Sequence, residues 1–157
     1  MIYKIAAVGK LKEPHYRAGA AEYIKRIGAT AKIEITEIPA AYLADESEHA
    51  VKSALEKEAA AILTACAGYS IIPLCIRGRQ YDSEGFSRVL QERGCQGETK
   101  IAFVIGGSHG LSDRFAAEFD RGLSLSEMTL PHELARLVLL EQLYRAENII
   151  HGGKYHK

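Results

Sequence analysis

The sequence has no excess of either charge: among its 157 residues, 20 Lys and Arg balance 20 Asp and Glu. A neutral chain is a poor candidate for gripping naked nucleic acid by charge alone, although a local basic patch stays open to it. Cysteine is scarce and odd in number, with Cys66, Cys75 and Cys95 and no C-x-x-C pair. That argues against a disulfide framework and predicts a reduced, cytoplasmic protein with buried thiols. The six histidines, His15, His49, His109, His132, His151 and His156, are scattered without zinc spacing, so no metal is expected. No apolar run approaches the ~20 residues that span a bilayer. The first residues read as a strand, not a leader. A G-x-G-x-x-G pattern is missing after that strand, and Gly9-Lys10 lacks the spacing of a phosphate loop. Repeats, low-complexity tracts and linkers are also missing, which leaves residues 1–157 as one domain.

What is present centres on Ile101-Ala-Phe-Val-Ile-Gly-Gly-Ser-His-Gly110. An apolar run that ends in closely spaced glycines reads as a strand buried on both faces. In open α/β sheets ligands bind at the carboxyl ends of the strands, so function belongs here. The same stretch matches G-x-S-x-G, the nucleophile elbow of hydrolases. Ser108 could draw a triad from Asp113 or Asp120 and then His132, His151 or His156. Against that, Gly110 and Leu111 intervene before the next helix, and the chain is small for such a fold. The competing reading is a backbone cradle for a cofactor, in which a side chain at Gly106 would intrude on the ligand.

Around this stretch the pattern alternates. Strands are expected at 2–8, 32–38, 70–76 and 101–105, with 32–38 near an edge and Pro73 marking an edge or irregularity. Helices are expected from Pro14 to residue 27, at 46–67, from a cap at Ser83 to residue 93, at 114–119 behind Ser112 or Asp113, and at 132–148. Residues 123–126 could form a brief strand. The order predicts an α/β fold with a mainly parallel sheet flanked by helices.

Polar chemistry concentrates near the C-terminus. Glu141 and Arg145 lie four apart on one helix face, the spacing of an ordinary solvent-exposed pair. Residues 151–157 gather His151, Lys154, Tyr155, His156 and Lys157. That is either a solvated terminus or a basic-aromatic arm suited to an anionic, stackable partner such as RNA.

Four blocks carry a resemblance: Phe103-Val-Ile-Gly-Gly-Ser-His-Gly-Leu-Ser112, Leu123-Ser-Leu-Ser-Glu-Met-Thr-Leu-Pro-His132, Arg136-Leu-Val-Leu-Leu-Glu-Gln-Leu-Tyr-Arg-Ala146 and Tyr155-His-Lys157. Together with Ile5-Ala-Ala-Val-Gly-Lys10 and Glu37-Ile-Pro-Ala40, they make the whole chain resemble the RlmH family, the ribosomal RNA large-subunit methyltransferases H of the SPOUT class. The resemblance implies a C-terminal trefoil knot, a rare exception to unknotted topology. It implies a homodimer that uses S-adenosylmethionine to methylate N3 of a pseudouridine in helix 69 of large-subunit rRNA within the assembled ribosome. It carries cofactor binding over to Leu74, Gly106, Leu125, Ser126, Glu127, Met128, Thr129 and Leu130. With it, the C-terminal residues acquire expected roles. His156 is the candidate base, Arg145 the stabiliser of developing charge and Tyr155 a stacking surface. Glu141 orients Arg145 or acts as base, and Lys154 and Lys157 bind RNA phosphates.

Overall fold

The computed structural model describes residues 1–119 and 122–155. Asp120, Arg121, His156 and Lys157 therefore lie outside the described residues. Four strands, β1 (Ile2–Val8), β2 (Lys32–Ile38), β3 (Ser70–Arg79) and β4 (Lys100–Ile105), form one parallel sheet in the order β2-β1-β4-β3. Five helices accompany them: α1 (Pro14–Ile27), α2 (Glu48–Ala65), α3 (Ser83–Cys95), α4 (Asp113–Glu118) and α5 (His132–Ile150). The period-2 geometry of a strand sorts the central side chains onto two faces. Tyr3, Ile5 and Ala7 of β1 join Ile101, Phe103 and Ile105 of β4 in a core with residues of α1, α3 and α5. Ala6, Val8, Ala102 and Val104 face the other way, against Ile62 of α2 and Phe115 of α4. Both faces are covered, which is why β1 and β4 read as unbroken apolar runs.

The expected elements are present, with shifted ends that have local causes. Ser47 caps α2, accepting from the Ala50 amide at 3.3 Å while Asp45 accepts from the Ser47 amide at 2.8 Å, so the helix starts two residues later than its composition suggests. Asp82, not Ser83, caps α3, accepting from the Gly85 amide at 2.6 Å. Ser83 is already helical, and its hydroxyl donates to Gln142 of α5 at 2.9 Å. Ser112 caps α4. Residues 123–126 are not a strand; Leu123 alone forms isolated parallel bridges, to Leu74 and Arg79. Of the thiols only Cys66 is buried, whereas Cys75 is half-buried and Cys95 is exposed at the end of α3.

Pro73 is both at an edge and at an irregularity. The β3–β4 ladder runs from Ser70↔Ile101 to Pro73↔Val104 and stops there. Beyond it β3 takes a different partner: the Arg79 amide donates to Gly122 at 3.0 Å, and the Ser124 amide donates to Arg79 at 2.9 Å. The second half of β3 thus peels away from β4, and residues 122–124 lie along it. Gly122 makes this possible, with φ +65° and a position where a Cβ would collide with the Pro73 carbonyl oxygen.

α5 packs against both α1 and α3, and an ion pair between buried Arg136 and half-buried Glu37 fixes its first turns. Arg136, 1% exposed, donates to Glu37 at the end of β2 (2.8 Å) and to the Gly9 carbonyl beyond β1 (3.1 Å). Its Nε is buried and without a partner. Burial disfavours the Glu37 anion, but the Leu11 amide and the Arg136 guanidinium outweigh it and hold this carboxyl below the usual range. Farther along α5, buried Glu147 accepts from the Tyr3 hydroxyl at 2.6 Å. Burial first, then Glu147, pushes that phenol far up.

Two outcomes follow for denaturation experiments. Gly122→Ala should cost several kcal/mol, because backbone must move. Gly110→Ala, also at positive φ but with nothing within 4 Å of a Cβ, should cost only about 1–2 kcal/mol. Equal costs would mean that φ, not the close approach, controls both. Glu37→Ala should cost about 3 kcal/mol at neutral pH by stranding a buried guanidinium. Because the folded-state pKa of Glu37 is depressed, its contribution is present above the unfolded value and is lost as pH falls through the folded one. The gap between wild type and variant in urea titrations should therefore close in acid.

Candidate active site

Where β3 and β4 part, the sheet opens into a cavity of about 650 Å³ at the carboxyl ends of the strands. Three chain segments wall it: Leu74, Cys75 and Ile76 of β3, the turn after β4 from Gly106 to Gly110, and the loop from Leu123 to the start of α5. The volume is in the range of small-molecule sites, and the lining is mostly apolar.

The turn after β4 is a closed loop of backbone. Gly110 donates its amide to the Gly107 carbonyl at 3.0 Å and returns so close that a Cβ on Gly106 would overlap the Gly110 carbonyl. A Cβ on Gly107 would touch Val8 at 3.0 Å. Glycine at 106 is thus required first by the turn itself, and not by intrusion of a side chain on a ligand. The third wall is shaped by serines. Ser124, 4% exposed, donates to the Ser126 carbonyl at 3.0 Å, and the Ser126 hydroxyl accepts from the Met128 amide at 3.0 Å. Those bonds hold the loop open, with Met128, 78% exposed, at its rim.

Of the residues expected to hold a cofactor, Leu74, Gly106, Leu125, Ser126, Met128, Thr129 and Leu130 all line this cavity. Glu127 belongs to the same loop but is exposed and off the lining. Sequence reasoning passed over Cys75, Ile76, His109 and His132, which line it too. Those on β3 could have been found by extending the strand past Pro73, but the break in pairing that exposes them has no signal beyond the proline. Burial pushes the Cys75 thiol up, with nearby Asp113 adding to the effect. The Ser108 hydroxyl lies 3.3 Å from His109 Nδ1 on the exposed turn. Among the described residues no carboxylate hydrogen-bonds to His109 or His132, so no triad is assembled there.

The C-terminal residues gather elsewhere. Tyr155 folds back on α5, its amide donating to Asn148 Oδ1 at 2.8 Å and its ring 4.7 Å from both the Tyr144 ring and the Arg145 guanidinium. Arg145 donates to Glu141 Oε1 at 2.6 Å, and the Tyr155 hydroxyl is 3.4 Å from the same oxygen. The Glu141–Arg145 pair is three-quarters buried or more, unlike the solvent-exposed pair its spacing suggests. Its carboxylate holds the guanidinium pKa up. Burial and the Tyr23 hydroxyl raise that of Tyr155. Lys154 is exposed. Of the expected catalytic and RNA-binding residues, Glu141, Arg145 and Tyr155 thus converge, while His156 and Lys157 lie outside the described residues. This cluster is not at the cavity. His132 marks the cavity end of α5, and Glu141 lies about 13 Å and Arg145 about 20 Å farther along the axis.

A family model described as "Predicted SPOUT methyltransferase" matches residues 1–156. Proteins named Ribosomal RNA large subunit methyltransferase H from Bacillus thuringiensis (strain Al Hakam) and Bacillus anthracis are each 45% identical to the chain over 159 aligned positions, covering all of both partners. Among solved structures, a probable methyltransferase from Bordetella pertussis matches with a TM-score of 0.56 at 18% identity, covering 93% of each chain. A probable methylase family protein from Haemophilus influenzae matches with a TM-score of 0.54 at 16% identity, over 99% of this chain and 70% of that one. These distant structures share the fold, and membership in the family implies the C-terminal knot. With a parallel sheet opened at β3 and a backbone-walled cavity at its strand ends, the chain belongs to the SPOUT methyltransferase family.

Proposed function

We propose that the protein is an S-adenosylmethionine-dependent rRNA methyltransferase, acting as a homodimer on N3 of a pseudouridine in helix 69 of large-subunit rRNA in the assembled ribosome. The observation that carries this reading is the cavity walled by backbone and apolar side chains at the ends of β3 and β4. The names of the full-length relatives supply the RNA class.

The lining fits the cofactor. Leu74, Leu125 and Leu130 offer an apolar slot for adenine, and the glycine turn lets backbone come close without side chains between. S-adenosylmethionine, when bound, supplies a methyl group already activated on a sulfonium. The protein's task is then to hold the cofactor, orient the nucleotide and exclude water. Thr129 and Met128 sit at the rim, where the nucleotide enters.

The C-terminal cluster handles RNA. Tyr155 stacks on the target base, Arg145 stabilises negative charge on it, Glu141 orients Arg145, and Lys154 and Lys157 meet phosphates. His156 brings an imidazole to the same nucleotide. Within one chain this cluster stands well over one helical turn from the cavity, so the cluster of one protomer serves the cavity of its partner. Dimerisation is therefore part of the chemistry. A neutral chain also needs more than charge to find its substrate, and the shape of the assembled particle meets that need.

Calorimetry should detect binding of S-adenosylmethionine and its demethylated product, and labelled methyl groups should pass to ribosomes that lack the modification. Removing residues 155–157 should cut transfer at least about 100-fold and leave cofactor affinity within about twofold. Mixing the truncated protein with a Leu125→Trp variant, its cavity blocked, should restore transfer through mixed dimers. Undiminished activity of the truncated protein would remove the C-terminal cluster from the mechanism. Recovery no greater than the sum of the two variants would place cluster and cavity in the same protomer.

A further inference from the structure

Methylating a ring N–H requires a group to take its proton, and few groups at the cavity can do so. Among the described residues no carboxylate lines it, and the titratable side chains that do are Cys75, His109 and His132. Cys75 is a half-buried thiol whose pKa is pushed up, which leaves little thiolate. His109 sits on the exposed turn with Ser108 against its Nδ1. His132 is different. It is half-buried on the first residue of α5, the helix anchored by Arg136 and Glu147. Its imidazole lies over Gly9, where Nε2 would be 3.5 Å from a Cβ on that glycine. A Cβ there would make only ordinary van der Waals contact with the ring, so it is the φ of +91° that calls for glycine at this position, and the imidazole sits against the end of β1. Among the described residues neither of its ring nitrogens has a hydrogen-bond partner.

We propose that His132 is the catalytic base, accepting the N3 proton of the target base in the same protomer that holds the cofactor. This rests on the methyltransferase reading above. As the unprotonated ring nitrogen takes the proton, the electron pair of the N3–H bond becomes available to form the N3–CH3 bond. The S–CH3 bond breaks with its pair returning to sulfur, which leaves as a neutral thioether. The positive charge of the sulfonium is replaced by that of the imidazolium, so net charge is conserved. An unprotonated imidazole nitrogen offers the lone pair this exchange needs. Around the ring, Glu133 is its neighbour on α5 and is held below the usual carboxylate range, first by the Glu13 amide, with His132 itself contributing. Lys10 follows Gly9. The next charges on α5 and β2, Arg136 and Glu37, are paired with each other. Cys75 and His109 lie on the other walls. The imidazolium so formed has Glu133 beside it on α5.

His156, the base expected from the sequence, is the competing candidate, and the full-length protein can tell the two apart. Single-turnover transfer to ribosomes lacking the modification is measured from about pH 5.5 to 9 for the wild type, His132→Gln, His132→Ala with and without added imidazole, and His156→Gln. The inference expects His132→Gln to lose about 100-fold or more in rate together with the rising acid limb. Its calorimetric affinity for S-adenosylhomocysteine should stay within about threefold, and its melting temperature near that of the wild type. Imidazole should partly restore His132→Ala, which a purely structural role would not allow. In the NMR spectrum the His132 ring signals should shift when S-adenosylhomocysteine is added. A His132→Gln enzyme that keeps its rate and acid limb while His156→Gln loses them would overturn the assignment. So would a His132→Gln protein that fails to bind S-adenosylhomocysteine and is not rescued, since His132 would then hold cofactor. A wild-type protein that binds S-adenosylhomocysteine yet transfers no methyl would sink the functional reading and this inference with it.

Discussion

The site depends on one close approach of backbone to backbone, Gly122 against Pro73. Proline has no N–H to give, so the β3–β4 ladder ends where Pro73 stands. A strand that loses its neighbour must satisfy its remaining amides and carbonyls elsewhere. Residues 122–124 meet that demand at Arg79, and they can lie this near only because residue 122 has no side chain. The gap left between the halves of β3 and β4 is the cavity. Its existence and its apolar lining thus share a cause. The walls are strand ends and returning loops, some of whose polar groups are used within the fold, as at Ser124, Ser126 and Gly110.

α5 joins this cavity to the rest of the molecule. Its first residue lines the site, and its first turns are fixed to the ends of β1 and β2 through Arg136. Its last turns are fixed to the start of β1 through Glu147 and Tyr3. Two buried polar contacts at opposite ends of one strand set the helix in position and register. Hydrophobic packing against α1 and α3 would by itself allow some sliding, because apolar contacts are not directional. The pairing of buried Arg136 with half-buried Glu37 is weak evidence of stability, but its directed bonds tie the first turns of α5 to the ends of β1 and β2.

Much of the fold was legible in the sequence because its signals are local. β1 and β4 are apolar on both faces, α2, α3 and α4 carry their own side-chain caps, and α1 and α5 open at prolines. The misplaced ends also have local causes: Asp82 displaces Ser83 as a cap because its carboxylate reaches the Gly85 amide, and Ser47 shortens α2. What could not be read is what depends on distant partners. Nothing near residue 123 announces that it will bridge to Leu74 and Arg79. Nothing near Arg136 announces Glu37, 99 positions away. The spacing of Glu141 and Arg145 shows that they can pair, but not that Tyr155 will cover them. The motif G-x-S-x-G illustrates the converse. It suggests a nucleophile until the turn is seen to close on itself through Gly110, with Ser108 exposed on its outside.

The separation between cavity and C-terminal cluster bears on how so small and neutral an enzyme could be selective. A single protomer presents a slot with no Lys or Arg lining it among the described residues and, some 13–20 Å away along α5, an arginine already held by a glutamate and covered by a tyrosine. Neither half attracts RNA strongly alone. Arg145 is masked by Glu141, and displacing Tyr155 from its guanidinium would expose a cation together with an aromatic face. In the proposed homodimer, the energy to break those contacts comes from the nucleotide and from the second protomer, and a substrate that does not bring both into place meets an incomplete site. Discrimination of this kind is obtained by making the free state comfortable and the bound state conditional, and it needs no net positive charge.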